Sequence, residues 1–283
     1  MKGIIDVWVT PFTPDLLGEA VANSTEWKDG IAKWHMEERY QGKTADEFTT
    51  MMDEVGVERV LIVGAKAYSA IYHKMDIEWP ISGIIDLVQS RPERFSGLYS
   101  INPYYRMDEV REMERVIREY GFKGAQVTAH GYERAIDDRD LYPFYAKCVE
   151  LDVPIEIVVG SIIDRAPSEF GRPTRLENIA MYFPELRIIA THIGEPWVHE
   201  VISIAWKYPN VYIATTAHLP RYWSPSLLQF IDSSRGKGKV MYGSAYPTVP
   251  MKEALEQIES FGLKDDAKRL LLREVALKVF KLE

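Results

Sequence analysis

Residues able to exchange protons near neutral pH are scarce in this chain, which has six histidines and one cysteine among 283 residues. One histidine is distinguished by its setting. In Ile189-Ala190-Thr191-His192-Ile193-Gly194-Glu195-Pro196-Trp197, a strand-like run beginning at Leu186 opens into a Gly/Pro loop, which puts His192 at the carboxyl end of a strand. In α/β enzymes the loops at that edge carry the chemistry, and an imidazole switches protonation in the physiological range. The competing reading is a strand-end histidine satisfied by the backbone. Glu156 is a second candidate. It lies in the apolar run Pro154–Gly160, and a carboxylate there must be paired or protonated. It faces the lumen with a partner, or it forms an ion pair at the strand end. Asp6 shares a phase with Trp8 and Thr10 in an N-terminal strand, and a carboxylate near Glu156 would force one of the two to hold a proton. Gln126, Thr128 and His130 share another polar phase, and if His192 faces the lumen, Ala190 and Ile188 share its phase. Ser161, Arg165, Trp197, His218, Arg221 and Tyr246 follow strand ends and are candidate substrate contacts. His35, His73 and His199 read as lid, loop and helix-surface residues, and Cys148 as a small buried hydrophobe.

The elements that must position these groups recur regularly. Apolar strands are expected at 3–9, 57–64, 95–101, 123–128, 153–159, 186–191, 210–215 and 239–242, each followed by a helical pattern. The helix over 46–55 ends at Gly56, that over 107–120 at Gly121, and the last forty residues carry two helices. Continuous apolar strands separated by helices specify a parallel sheet covered on both faces. Eight such units in a chain of this length predict an α/β fold, a (β/α)8 TIM barrel forming a single domain over 1–283. Residues 15–45 are too long for a βα turn and read as a lid inserted after the first strand. Its Trp27, Trp34 and Arg39 suggest an aromatic or carboxylate-bearing ligand.

Composition narrows the function. Hydrophobic residues make up 46% and charged residues 27%, enough for a large core under an ordinary surface. The net charge of −8 argues against nucleic acid or an anionic membrane as partner. A single cysteine excludes an internal disulfide framework and a cysteine zinc site. No signal-like or membrane-length apolar run occurs, so a cytoplasmic protein is expected. No Gly-x-Gly-x-x-Gly follows a strand and no phosphate-loop motif occurs, so no nucleotide cofactor is expected.

Motifs along nearly the whole chain are similar to those of the amidohydrolase-related family, in the branch of aminocarboxymuconate-semialdehyde and resorcylate-type decarboxylases. They are Ile5-Asp6-Val7-Trp8-Val9-Thr10, Gly121-Phe122-Lys123-Gly124, Pro154 through Gly160, Phe183 through Gly194, Pro209-Asn210-Val211-Tyr212, and Tyr242-Gly243-Ser244-Ala245-Tyr246-Pro247. In that family a metal is held by two groups ending the first strand, a histidine on the fifth and an aspartate on the eighth. Here those positions hold Trp8, Thr10, Val158 and Ala245, so the resemblance implies the barrel without its metal. His192 matches the family's acid/base position. The helix motif Leu272-Arg273-Glu274-Val275-Ala276 carries Val275 where asparagine is usual. The expectation is a metal-independent hydrolase or carbon–carbon lyase acting on a small carboxylated or cyclic substrate. His192, Glu156 and Asp6 are its catalytic candidates. The substrate would be contacted by Trp8, His130, Arg165, Trp197, His218, Arg221 and Tyr246. The resemblance also allows a homodimer. Two alternatives stand beside this: a relocated metal site built from His130, His192 and His218, and a non-catalytic barrel that binds a small ligand or serves an assembly.

Overall fold

The computed structural model describes residues 3–282. Eight parallel strands succeed one another around a barrel: β1 (Ile4–Val9), β2 (Val57–Val63), β3 (Phe95–Ser100), β4 (Gly124–Val127), β5 (Ile155–Val158), β6 (Ile188–Thr191), β7 (Val211–Ala214) and β8 (Val240–Met241). Neighbours in sequence are neighbours in the sheet. The ring is closed by hydrogen bonds between its first and last strands. Val7 N–H donates to the Tyr242 carbonyl at 3.1 Å, Ala245 N–H to Trp8 at 2.9 Å and Thr10 N–H to Tyr246 at 2.9 Å. The (β/α)8 expectation therefore holds, with every strand within a few residues of its sequence position.

The apolar strands supply two cores. Ile4, Val60, Ile62, Ile155, Ile188 and Ala190 pack outward against the helices. Ile5, Val7, Leu61, Leu98, Ile189 and Met241 fill the interior, which the C-terminal helix Val275–Phe280 closes at the amino ends of the strands. A polar layer crosses the interior. Ser100 lies beside Gln126, and Gln126 beside Glu156, in register across β3, β4 and β5. The Ser100 hydroxyl donates to the Gln126 side-chain carbonyl, and Gln126 Nε2 donates to Thr128 Oγ1 at 2.7 Å.

The phase assigned to β6 is corrected. Ile188 and Ala190 face the helices and Ile189 faces the interior. His192 does not continue that alternation. Its backbone turns left-handed, with φ +64° at His192 and +49° at Ile193, and this turn brings the ring to the barrel mouth.

Between β1 and the helix Ala45–Val55, the chain forms helices Pro14–Asn23 and Glu26–Lys33 and a 3-10 turn, Glu37–Gln41. A second insertion, not anticipated from the sequence, is an antiparallel hairpin of Ala67–Ser69 and Lys74–Ile77. Its strands of three and four residues are too short to show a period. The two insertions are tied by Asp76. Its carboxylate accepts the Ser24 hydroxyl, Thr25 N–H at 2.8 Å and Glu26 N–H at 3.2 Å, which caps the second lid helix from outside. No helix among the described residues is long and apolar enough to cross a membrane.

Ile189 is fully buried in the interior between the polar layer and β7. Ile189→Ala is expected to lower unfolding free energy by about 2–5 kcal/mol, from lost transfer energy plus a cavity, read as a shifted urea midpoint at unchanged slope.

Candidate active site

The carboxyl ends of the strands surround a cavity of about 300 Å³. Its floor is Trp8, Thr10, Val158 and Ala245, and His192 and His218 stand on the β6 and β7 side. The lid adds Trp27 and Trp34, and the hairpin side adds Ala67, Ile77 and Trp79. The loop after β5 adds Ser161, Ile162, Ile163 and Asp164. Among the described residues, no lysine or arginine contributes to the lining.

Thr216 holds His192 in place. The His192 backbone N–H donates to Thr216 Oγ1 at 2.8 Å, and the same oxygen lies 2.6 Å from ring Nδ1. Trp8 meets the ring edge-on, with centroids 5.1 Å apart. Nδ1 is thus engaged, and Nε2, without a protein partner, is the nitrogen left for a bound molecule. Burial, then the neighbouring His218 and His130, push the His192 pKa down to about 3. The ring is neutral at pH 7. Burial lowers His218 too, against the opposing effect of the His192 carbonyl. Three of the ten non-glycine residues with positive φ among the described residues line this cavity: His192, Ala217 (+66°) and Ala245 (+57°). Conformations of this kind cost free energy and gather at functional sites.

The other sequence candidates fall in different places. Glu156 is fully buried in the interior, away from the cavity lining, and neither of its oxygens has a hydrogen-bond partner. It therefore has neither the partner nor the strand-end ion pair anticipated for it. Burial first, and Asp6 second, raise its pKa far above the usual carboxyl range. Asp6 is also fully buried and outside the lining. Its Oδ1 accepts Trp8 N–H at 3.1 Å and Ser244 N–H at 2.9 Å, and Oδ2 has no partner. Burial raises it to about 7 against those bonds. The sequence predicts a proton on one of the two carboxyls; burial favours the protonated form of both, and neither lines the cavity.

His130 is packed away from the cavity. Its Nε2 lies 2.8 Å from the Gly160 carbonyl, and burial holds it at about 4. Gly171 closes over the ring so tightly that a Cβ there would stand 2.2 Å from Nε2. His130 is a strut for the loop after β5. Its Nε2 is taken by that carbonyl, and among the described residues no three His, Cys, Asp or Glu form a metal-binding group. Arg165 is exposed and bound to the lid, its backbone N–H donating to Glu26 at 2.6 Å. Arg221 pairs with Glu253 at 2.7 Å. The Arg172 guanidinium covers Trp197 at 4.4 Å from its ring centroid. Tyr246 packs edge-on against Phe48, with centroids 5.3 Å apart. None of these four residues lines the cavity.

Asp164 and Trp79 were not singled out from the sequence. Asp164 lies on the cavity wall, where burial and then Glu26 and Asp76 raise its pKa to about 7. Its position on a loop after a barrel strand is a signal the sequence did carry. Trp79 follows the unanticipated hairpin and meets Trp27 edge-on at 5.5 Å.

Comparison with known proteins agrees with this architecture. The amidohydrolase family model matches residues 5–282, so the chain belongs to that family. A 2-amino-3-carboxymuconate-6-semialdehyde decarboxylase of Dictyostelium discoideum is 26% identical over 71% of this chain and 65% of its own length. A gamma-resorcylate decarboxylase of Polaromonas is 23% identical over 84% of this chain and 87% of its own. The chain thus spans just under two thirds of the first of these relatives. Among solved structures, a TIM-barrel protein of Bordetella bronchiseptica superposes with a TM-score of 0.77 at 21% identity, covering 99% of this chain and 98% of that one. A 5-carboxyvanillate decarboxylase of Novosphingobium aromaticivorans with bound manganese gives 0.73 at 18%, covering 99% and 97%. The positions matching the family's metal ligands all lie on the cavity floor here. They offer one hydroxyl, Thr10, beside an indole, an isopropyl and a methyl group. That donor set does not fit a divalent ion.

The buried carboxyls make stability depend on pH. Unfolded, Asp and Glu release their protons near pH 4. Between there and the folded pKa only the native state binds the proton, so stability falls as pH rises. For Asp6 that window runs from about 4 to about 7, and for Glu156 it extends upward from the usual carboxyl value. The depressed His192 and His130 act in the opposite sense below about pH 6.5, so the test is the difference between variants: urea unfolding at pH 5 and pH 8 should shift less toward instability at pH 8 in Glu156→Gln than in the native protein, and equal shifts would remove Glu156 as a source.

Proposed function

We propose that the protein is a metal-independent amidohydrolase-family enzyme, a decarboxylase-like lyase or a hydrolase, that acts on a small cyclic substrate with His192 as general acid/base. One observation carries this reading: His192 is presented to the cavity while Trp8, Thr10, Val158 and Ala245 occupy the positions of the metal ligands. The decarboxylase relatives and the carboxylated aromatic named for one of them support the lyase form.

For decarboxylation the steps balance without an ion. Free His192 is neutral. A carboxylate bound beside it raises its affinity for a proton, so substrate and proton enter together. The proton passes from Nε2 to the ring carbon bearing the carboxylate. The bond to that carboxylate then breaks, its electron pair returns to the ring, and carbon dioxide leaves. The imidazole ends neutral. For hydrolysis the neutral imidazole accepts a proton from water as it attacks a carbonyl or lactone. In both forms the hydroxyls of Thr10 and Thr128 on the cavity wall are donors available to developing negative charge. Thr216 keeps the ring aimed. Glu156 and Asp6 take no direct part, since neither lines the cavity.

The four indoles on the cavity wall favour a second reading, an aromatic-ligand binder without turnover. A single assay separates the two. Purified protein is incubated with 2,6-dihydroxybenzoate, other hydroxybenzoates and simple lactones, and product is followed by chromatography with and without EDTA. Turnover is expected to survive the chelator and to fall by at least ~100-fold in His192→Asn, the usual worth of a positioned acid/base, with the melting temperature retained. Activity abolished by EDTA and restored by manganese would overturn the proposal, and no turnover of any compound would leave the binder.

A further inference from the structure

The cavity wall is asymmetric in charge, and this bears on what the substrate must look like. Four tryptophans, Trp8, Trp27, Trp34 and Trp79, present indole surface to one enclosed volume. Among the described residues, the only carboxylate on the wall is Asp164, on the loop after β5, and no lysine or arginine lines the cavity. Asp164 is backed by two further carboxylates, Glu26 and Asp76, both almost completely buried.

Nearby cations are committed elsewhere. Arg165 lies with Nε 3.5 Å from Glu26 and Nη2 3.5 Å from Asp29, and its guanidinium stands over the Tyr72 ring. Lys74 directs Nζ at Thr25 Oγ1, on the exposed side of the lid. Glu26 is already engaged by the Ser69 hydroxyl and the Arg165 N–H, and Asp76 by Ser24 and the start of the lid helix. Asp164 forms no salt bridge to any described residue. The lid end of the cavity is thus an aromatic box whose lining carboxylate, Asp164, has no ion-pair partner among the described residues.

The face of an indole attracts cations, and the attraction grows as the cation is desolvated. A carboxylate bound at this end would meet like charge and no counter-ion. We propose that the lid end of the cavity binds a cationic nitrogen of the substrate, an amine or quaternary ammonium on a small ring, with Asp164 as the residue that selects it. This deepens the reading above, since it places the ammonium at the lid and the reacting carbon toward His192. The same ligand would lower the proton affinity of Asp164 and hold it ionised.

Binding reads this out independently of turnover. Benzylamine, benzyl alcohol and benzoate share a ring and differ in charge. Each is titrated against the native protein at pH 8 while tryptophan fluorescence is followed, and melting temperatures are measured in parallel. Benzylammonium is expected to bind at least tenfold tighter than benzyl alcohol, with benzoate weaker than both. Asp164→Asn should remove the preference for benzylammonium while leaving benzyl alcohol affinity unchanged. Trp34→Ala, a change at a half-exposed lid residue, should weaken benzylammonium by several-fold and keeps the test available if the Asp164 variant does not fold. Equal affinity for the three probes, tighter benzoate, absence of binding at millimolar concentration, or an Asp164→Asn variant with its preference intact would each overturn the assignment. His192→Asn separates this from the catalytic reading: it should lose turnover and keep the charge preference.

Discussion

The grip of Thr216 on His192 is the interaction on which the cavity depends. One hydroxyl oxygen meets both the backbone N–H and ring Nδ1 of the histidine, at 2.8 and 2.6 Å. It does so at the point where the chain abandons β geometry, with two successive residues at positive φ. A β-branched residue such as Ile193 is costly in that region, on the order of 1–3 kcal/mol. The strain is tolerated because it turns a ring that would otherwise follow the outward phase of Ala190 toward the mouth. The hydroxyl then spends its remaining capacity on one ring nitrogen and leaves the other to the cavity. The aim of His192 and the availability of its Nε2 both trace to that one side chain.

The uncharged cavity floor sets the electrostatics of the interior. A divalent cation at the mouth would offset nearby carboxylates and favour their ionised forms. Beneath Trp8, Val158 and Ala245, Asp6 and Glu156 are buried, and both are driven toward the protonated state. Ala245 takes a left-handed conformation at +57°, which aspartate, the residue the family resemblance implies at this position, adopts more readily than alanine does.

The fold was legible because continuous apolar strands and helix-ending glycines are local signals, and all eight strands lie near their sequence positions. The motif around His192 was legible for the same reason. What failed was inference of direction. Alternation put Ile188 and Ala190 inside, yet a positive-φ break is invisible in a side-chain period. Arg165 and Arg221 follow strand ends as substrate-binding residues do, but each had a closer carboxylate, Glu26 or Glu253, brought in by a separate segment. His130 shared a polar phase with Thr128, and only the fold reveals Gly171 pressed against its ring.

The lid shows why the remaining part of the site resists reading from sequence. Trp27 and Trp34 were visible as aromatic residues in an insertion, but their use depends on Asp76, a residue of a hairpin too short to announce itself. Asp76 caps the helix that carries Trp27 and ends at Trp34, and through Glu26 the same helix reaches the loop that carries Asp164. Lid, hairpin and the loop after β5 are thus one hydrogen-bonded unit formed from three distant segments. Its acidic character is a by-product of that architecture, since the carboxylates that fasten the lid also charge the wall behind Asp164. The hydrogen bonds that join the 15–45 insertion to the loop after β5 therefore gather carboxylates behind the cavity wall.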